Sequence, residues 1–497
     1  MKVHPALLRV AVAAVLAGTC LSFGVFHRDA LVRAQQNSGP SQDRATLLRT
    51  NIRDGFTLAS VGDLMSERPI AQDPSSEPVA QILRAADVAT ANCETSIVDI
   101  REHRLFGGGQ ISEPAIAKDF KAMGIGLVSR ANNHSFDWGV DGMQETDHWL
   151  DEADIQHAGS GATRALARSA QFYDTSKGRI AMVSITSSFA PDNVAANPSA
   201  DSEVPGRYGL SALRTTRYTI VTADEMQALR KIYDEHDPAL GLAAPVPLPP
   251  DELRLFGVPI RVGDKPSATY KINPDDEREF LQSIRNGKEY SDFMVATMHT
   301  HQEAECAGPS AGRAWKCEKT ADFVEKIAHD AIDAGADAWV GHGPHLLLGI
   351  EIYKGKPIFY SLGNFTFQEE LVDRGRIGQA GAEIHGSPDP TLQATEAEIS
   401  NNFWAYRHTD QRLFESVIAV SRYDKNRLTE VRLYPIDLGW SQRPAERGTP
   451  SLASSEMAQT ILQHLQKMST QYGTTIKIEN NVGVIRIVSQ PNAPNQQ

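Results

Sequence analysis

Seven residues of metal-binding type fall just beyond short apolar runs: Asp63, Glu94, Asn133, His134, His299, His342 and His345. Carboxylates, an amide oxygen and several imidazoles form a mixed oxygen–nitrogen donor set. Such a set suits Zn, Mn or Fe and not the soft cations that thiolates select. Carboxylates neutralise cationic charge, and an oxygen-bearing ligand can bridge two ions. Ions about 3.5–4 Å apart can hold a phosphoryl group and activate a water for in-line attack. The expected cofactor is a divalent metal, one or two ions.

Taken singly, each element has a plainer reading. Gly62-Asp63 is what a turn uses. Asn132-Asn133-His134 places three polar residues directly after an apolar run, which is costly unless something uses them, although Asn and His also serve turns and buried hydrogen bonds. His299-Thr300-His301 is a short pair whose imidazoles share a side in a strand. Gly341-His342-Gly343-Pro344-His345 sets two imidazoles on a tight turn. Fifteen histidines make one such pair unremarkable. Their conjunction at successive strand ends points to a metal site.

The elements that must position these residues are buried strands. Thr57–Val61 ends at Gly62-Asp63, Val88–Ala91 at Asn92-Cys93-Glu94, and Ile125–Ser129 at Asn132-Asn133-His134. Phe293–Met298 ends at His299, Ala336–Val340 at Gly341-His342, and Pro357–Tyr360 at Gly363-Asn364. Runs of this length bounded by Gly, Asn or Asp read as strands. Helical patterns lie at Glu77–Arg84, Glu113–Met123, Val140–Ala153 and Thr320–Ala334. The alternation predicts a layered α/β domain, with chemistry gathered at the carboxyl ends of its strands. Residues 190–275 are rich in proline and read as an insertion, partly looped, with one helix near Ala223–Glu235. Residues 370–412 read as loop. Strands at Phe414–Val420 and Leu428–Leu433 and a helix at Ser455–Met468 follow, then a polar, disordered tail from Gln490.

The chain has 497 residues, with 49 Lys and Arg against 62 Asp and Glu, a net charge of −13. The acidic balance argues against general nucleic-acid binding, which needs a basic surface. Four cysteines exclude a disulfide-built scaffold. Lys2 and Arg9 precede an uncharged run from Val10 to Phe26, the pattern of an export signal, with Val32-Arg33-Ala34 as a cleavage candidate. The run is also just long enough for an uncleaved anchor. Residues 1–34 are therefore signal or anchor, the only expected membrane contact, and 35–50 a flexible lead-in. In an oxidising compartment Cys306 and Cys317 are the disulfide candidate. Cys93 reads as a buried structural cysteine, and Cys20 leaves with the signal.

Five motif blocks occur in order: Gly62-Asp63-Leu64-Met65, Asn92-Cys93-Glu94-Thr95, Ala131 to Asp137, Gly341 to His345, and Tyr353 to Phe365. With them the sequence resembles the bacterial CapA family of capsule and poly-gamma-glutamate synthesis proteins, itself similar to the calcineurin-like metallophosphoesterases. The resemblance covers roughly residues 56–370. It implies a four-layer αββα sandwich, here over 51–440, with 441–497 as a C-terminal helix, strand and tail. It implies that Asp63 and His345 bind a first metal, that Glu94 bridges, and that Asn133, His299 and His342 complete a second. His134 would protonate the leaving group, with Asp137 its neighbour in sequence. Asn92, Asn132, Glu303 and Asn364 would support these residues or the substrate. Met65 stands where the phosphoesterases carry a histidine, so the first metal has fewer protein ligands. His301 replaces a family glycine, as an added ligand or a solvent-facing residue.

The implied function is phosphoester hydrolysis by metal-activated water at the cell envelope, exported and serving assembly of an anionic polymer. The partners would be that polymer or a phosphoester substrate, and envelope assembly proteins. Two alternatives compete. One is a non-catalytic polymer-binding or export subunit, with Pro245–Pro250 as a docking segment. The other is a metal-dependent amidohydrolase acting on gamma-glutamyl bonds through His299 and His301. Such barrels carry that pair at their first strand, unlike this chain.

Overall fold

Strands apolar on both faces need covering on both sides. Phe56–Met65 (β1), Val88–Cys93 (β2), Ile125–Ser129 (β3) and Gln156–Ala158 (β4) run parallel, side by side. A second sheet of six strands follows: Gln171–Thr175 (β5), Gly178–Thr186 (β6), Phe293–His299 (β7), Ala338–His342 (β8), Ile350–Tyr353 (β9) and Lys356–Phe359 (β10). Its order is β9-β10-β8-β7-β6-β5, parallel except at the edges β9 and β5. Asn364–Phe367 (β11) then returns to the first sheet beside β1. Glu415–Asp424 (β12) and Arg427–Asp437 (β13) extend that sheet antiparallel. Ser451–Leu452, Lys477–Glu479 and Val482–Arg486 bring it to ten strands.

The structure is a computed structural model that describes residues 51–99, 109–200, 203–236, 249, 251–255, 257–302, 318–368, 410–443 and 445–487. Side-chain alternation fixes its layers. In β6, Ile180 and Met182 enter a middle core, while Ala181, Val183 and Ile185 enter an outer one. The middle core joins both sheets: Leu58, Leu127 and Val417 of the first meet Met182, Val295 and Phe359 of the second. Helices Glu77–Ala85 (α1), Ala115–Met123 (α2) and Gly139–Glu152 (α3) cover the outer face of the first sheet through Leu83, Phe120 and Leu150. Helices Pro274–Glu289 (α4) and Asp322–Asp333 (α5) cover the second through Phe280, Ile284, Val324 and Ile327. This is an αββα sandwich of open sheets.

The helices follow their sequences. In α2, Ile116, Phe120 and Met123 recur on one buried face. The helix stops at Gly124, which takes a left-handed conformation (φ 104°) that suits glycine. Emptying the Phe120 position would cost about 3–5 kcal/mol. The helix Ser455–Thr470 supplies Ile461, Leu462, Leu465 and Met468 to the middle core, so the C-terminal elements belong to the same sandwich. Among the described residues no helix is long and apolar enough to cross a membrane.

The structure corrects and extends the sequence reading. Residues 190–275 are less looped than expected. Besides the helix Ala223–His236 they hold a four-stranded sheet in the order Glu252–Leu255, Val258–Val262, Thr215–Val221, Ser267–Ile272. These strands are half-exposed and mix polar with apolar residues, so no continuous apolar run marks them. The core strand β6 and helix α4 were also absent from the expected elements. The signal or anchor (1–34), the lead-in (35–50), Glu303, Cys306, Cys317, most of the proline run and the tail lie outside the described residues.

Asp276, buried in the first turn of α4, anchors the insertion. It accepts from Arg168 Nη2 at 2.6 Å, Arg164 Nη2 at 2.9 Å, and the Arg214 backbone N–H and Nε at 2.9 and 2.7 Å. Burial alone would raise its pKa, but the Arg214 and Arg168 hydrogen bonds outweigh it and hold the carboxyl below the usual range. A depressed pKa means the stabilisation is present at neutral pH and is lost as pH falls through the lowered value. Asp276→Asn should cost about 1–3 kcal/mol at pH 7 in urea denaturation, because it leaves the buried Arg168 with only the partly exposed Glu279 as countercharge. The gap to the parent should narrow below about pH 4. A gap that is the same at every pH would contradict this account.

Candidate metal centre

The carboxyl ends of β1 and β2 meet those of β7 and β8. At this junction β1 changes partner. Phe56–Ser60 pairs antiparallel with β12, whereas Asp63–Met65 pairs parallel with β11. Gly62 sits at the change. A Cβ there would lie 1.8 Å from the Gly363 carbonyl oxygen, and the Asp63 N–H donates to that same oxygen at 3.1 Å. The local shift in register re-aims the next side chain, Asp63, toward the second sheet. His345 follows β8 in a left-handed conformation, φ 57°, unfavourable by about 1–3 kcal/mol for such a residue. Its Nδ1 lies 2.8 Å from Asn364 Oδ1, and Asn364 Nδ2 donates to the Leu413 carbonyl at 2.9 Å.

Asp63, Glu94, His299, His342 and His345 are all buried. Three overlapping groups each bring their ligand atoms within 4.8 Å: Asp63 with His299 and His342, Glu94 with His299 and His301, and Asp63 with Glu94 and His345. Asp63 Oδ2 is 3.4 Å from His345 Nδ1, and Glu94 Oε1 is 3.5 Å from His299 Nε2 and 3.7 Å from His345 Nε2. His299 Nδ1 is 3.2 Å from His342 Nδ1, and its Nε2 is 3.2 Å from His301 Nε2. Asn133 Oδ1 lies 3.1 Å from His301 Nε2.

Burial disfavours charge on the imidazoles. His299 is held well below the usual histidine range by desolvation and by neighbouring histidines. His342 is lowered to about 4 by desolvation, against the opposing pull of Asp63. Burial would raise Asp63, yet the His345 contact and the Asn92 hydrogen bond are among the causes that lower it to about 2. Neutral imidazoles beside an ionised carboxylate are the forms in which these groups bind metal. The donor set therefore fits one or two divalent cations of borderline or hard character.

The remaining candidates gather around this centre. Asn92 Nδ2 donates to Asp63 Oδ1 at 2.7 Å and lies 3.2 Å from His299 Nδ1. Asn132 Nδ2 donates to Asn92 Oδ1 at 3.0 Å and to the Cys93 carbonyl at 2.8 Å. His134 is partly exposed, with Nδ1 2.7 Å from Asp137 Oδ2 and Nε2 4.0 Å from Glu94 Oε1. Sequence adjacency left that His134–Asp137 contact open. Cys93 is buried and free of disulfide. His301, for which two roles stood open, joins the cluster. Arg130, fully buried beside this centre, shows in the sequence only as a charged residue directly after an apolar run.

The profile of a family described as "Bacterial capsule synthesis protein PGA_cap" matches residues 57–369. The chain belongs to this family. Among similar proteins is the "Uncharacterized protein y4sH" of Sinorhizobium fredii (strain NBRC 101917 / NGR234), 42% identical, the match covering 88% of this chain and 94% of that protein. The "PGA biosynthesis protein CapA" of Bacillus subtilis (strain 168) is 23% identical over 65% of this chain and 66% of its own. The "Capsule biosynthesis protein CapA" of Bacillus anthracis is 23% identical over 63% of this chain and 60% of its own. All the described residues of the centre lie inside the PGA_cap match.

The Gly62–Gly363 contact gives a test that leaves every candidate ligand in place. Gly62→Ala must displace β11 or Asp63, and should cost about 1–3 kcal/mol in thermal unfolding, as overpacking does. Bound Mn²⁺ should fall well below the parent's at equal protein concentration. Undiminished metal content in a folded Gly62→Ala protein would show that the close approach does not position Asp63.

Proposed function

We propose that this PGA_cap protein is a metal-dependent phosphoester hydrolase that serves capsule or poly-gamma-glutamate assembly at the cell envelope. The observation that carries the reading is the buried carboxylate–imidazole cluster with the His134–Asp137 pair at its rim. Asp63, Glu94 and His345 would hold one ion, and Glu94, Asn133, His299, His301 and His342 the other. Bound there, such ions lower the pKa of water and draw charge from the non-bridging oxygens of a phosphoryl group. The names of the Bacillus relatives support the link to capsule and PGA synthesis. The apolar run after Lys2 and Arg9 supports export.

The protein's own groups supply the proton chemistry. Asp137 Oδ2 accepts from the Gln110 N–H at 2.7 Å and faces His134 Nδ1. A carboxylate in that position keeps the proton on Nδ1 and fixes the imidazole's orientation. When the ring is doubly protonated, Nε2, turned toward the cluster, carries the second proton and is the atom that can give it to the departing oxygen. The anionic polymer would meet a chain of net charge −13, so its attraction falls to the cations at the centre.

Hydrolysis of an aryl phosphate diester and monoester, beside a gamma-glutamyl peptide, tests the reading. His134→Ala should lower phosphoester turnover by about 10²–10⁴-fold with metal content unchanged. No phosphoester turnover by the metal-loaded parent would favour the polymer-binding alternative, to which the loss of a histidine at Met65 also points. Cleavage of the peptide alone would favour the amide hydrolase.

A further inference from the structure

The turn that carries Glu94 and the turn that carries Asn133 and His134 come from different strands, yet must hold a common geometry. One residue reaches both. Arg130 is fully buried, a costly place for a guanidinium. Its Nη1 donates to the carbonyls of Thr95 at 3.0 Å and Cys93 at 3.4 Å, the two residues that flank Glu94. Its own carbonyl accepts from Ser135 Oγ at 2.6 Å, and the same hydroxyl oxygen lies 2.9 Å from Asn132 Oδ1. Arg130 thus grips the Glu94 turn with its side chain and the Asn133-His134 turn with its backbone.

The countercharge is Asp147 on α3, whose Oδ1 lies 3.3 Å from Arg130 Nε. Asp147 is itself tied down. Ser160 Oγ donates to both of its oxygens, at 3.2 and 3.0 Å, and the Tyr208 hydroxyl donates to Oδ2. His157 Nδ1 is 3.5 Å from Oδ1. None of these groups is among the candidate ligands. A neutral side chain could fill the same space without burying charge, so packing alone does not account for an arginine here.

We infer that Arg130, backed by Asp147, is a positioning residue that sets the carboxylate of Glu94 against the Asn133-His134 turn. The inference rests on the metal-centre reading for its consequence, though not for its geometry. The planar fork matters: it addresses carbonyls on one side and a carboxylate on the other, which the single ammonium of lysine does not. Partners that orient metal ligands typically change affinity by about 10–100-fold when replaced.

The test uses the full chain as parent, Arg130→Lys, Arg130→Met and Asp147→Asn, with Leu150→Ala as a control that weakens α3 packing without touching the clamp. Two quantities are read: the Mn²⁺ dissociation constant, and hydrogen exchange of metal-free peptides spanning 93–97 and 130–136. Arg130→Met should bind Mn²⁺ about 10–100-fold more weakly, Arg130→Lys should fall between it and the parent, and both peptides should exchange faster together. Leu150→Ala should lower the melting temperature and leave the Mn²⁺ constant as in the parent. Parent-like Mn²⁺ affinity and exchange in a destabilised Arg130→Met would overturn the inference. A parent that binds no Mn²⁺ would overturn the metal reading instead, and the exchange arm would still decide whether Arg130 couples the two turns.

Discussion

Asp63 and Glu94 are two carboxylates shut away from water, and the imidazoles of His299, His301, His342 and His345 surround them. Like charges so confined repel each other, and removing either from water is costly. The Asp63 carboxyl is nonetheless held low, because the His345 contact and the Asn92 hydrogen bond favour its charged form. Cations between these ligand atoms would relieve the remaining repulsion, and the neutral state of His299 and His342 leaves their lone pairs available. Everything else that positions the centre serves to bring these six side chains together.

The sandwich does this by register. Parallel strands of both sheets end at one edge, so residues far apart in sequence arrive as neighbours. His299 and His342 are directly opposed on β7 and β8, and Asp63 and Asn92 on β1 and β2. Departures from regular strand geometry finish the placement: the partner change at Gly62 and the left-handed backbone of His345. The second is unfavourable locally and is held by the surrounding packing, the pattern expected where geometry serves chemistry. PGA_cap membership accounts for the motif order, whereas the choice between the two roles open to His301, and the contacts of Arg130, appear only in three dimensions.

Much of this was legible in the sequence, for a physical reason. A buried strand is a continuous apolar run, and a polar cluster directly after it stands out. Ile125–Ser129 was expected at its observed limits, and the other strands that carry the site differed by a few residues at their ends. Asp63 lay beyond the expected strand end because β1 continues through the partner change instead of stopping at a turn. The four-stranded sheet within 190–275 escaped because half-exposed strands have no such run. Strand β6 escaped because Ser187-Ser188 follows it, with no ligand-type residue to mark its end. The His134–Asp137 contact at 2.7 Å depends on how the chain turns after Asn133, which spacing alone leaves undetermined.

The most direct measurement is metal content by mass spectrometry on the full chain, purified without chelators or affinity metal. The account predicts about two divalent ions per chain, the number a shared carboxylate bridge accommodates. A chain that holds none, and takes up none when Mn²⁺ or Zn²⁺ is added, would contradict it.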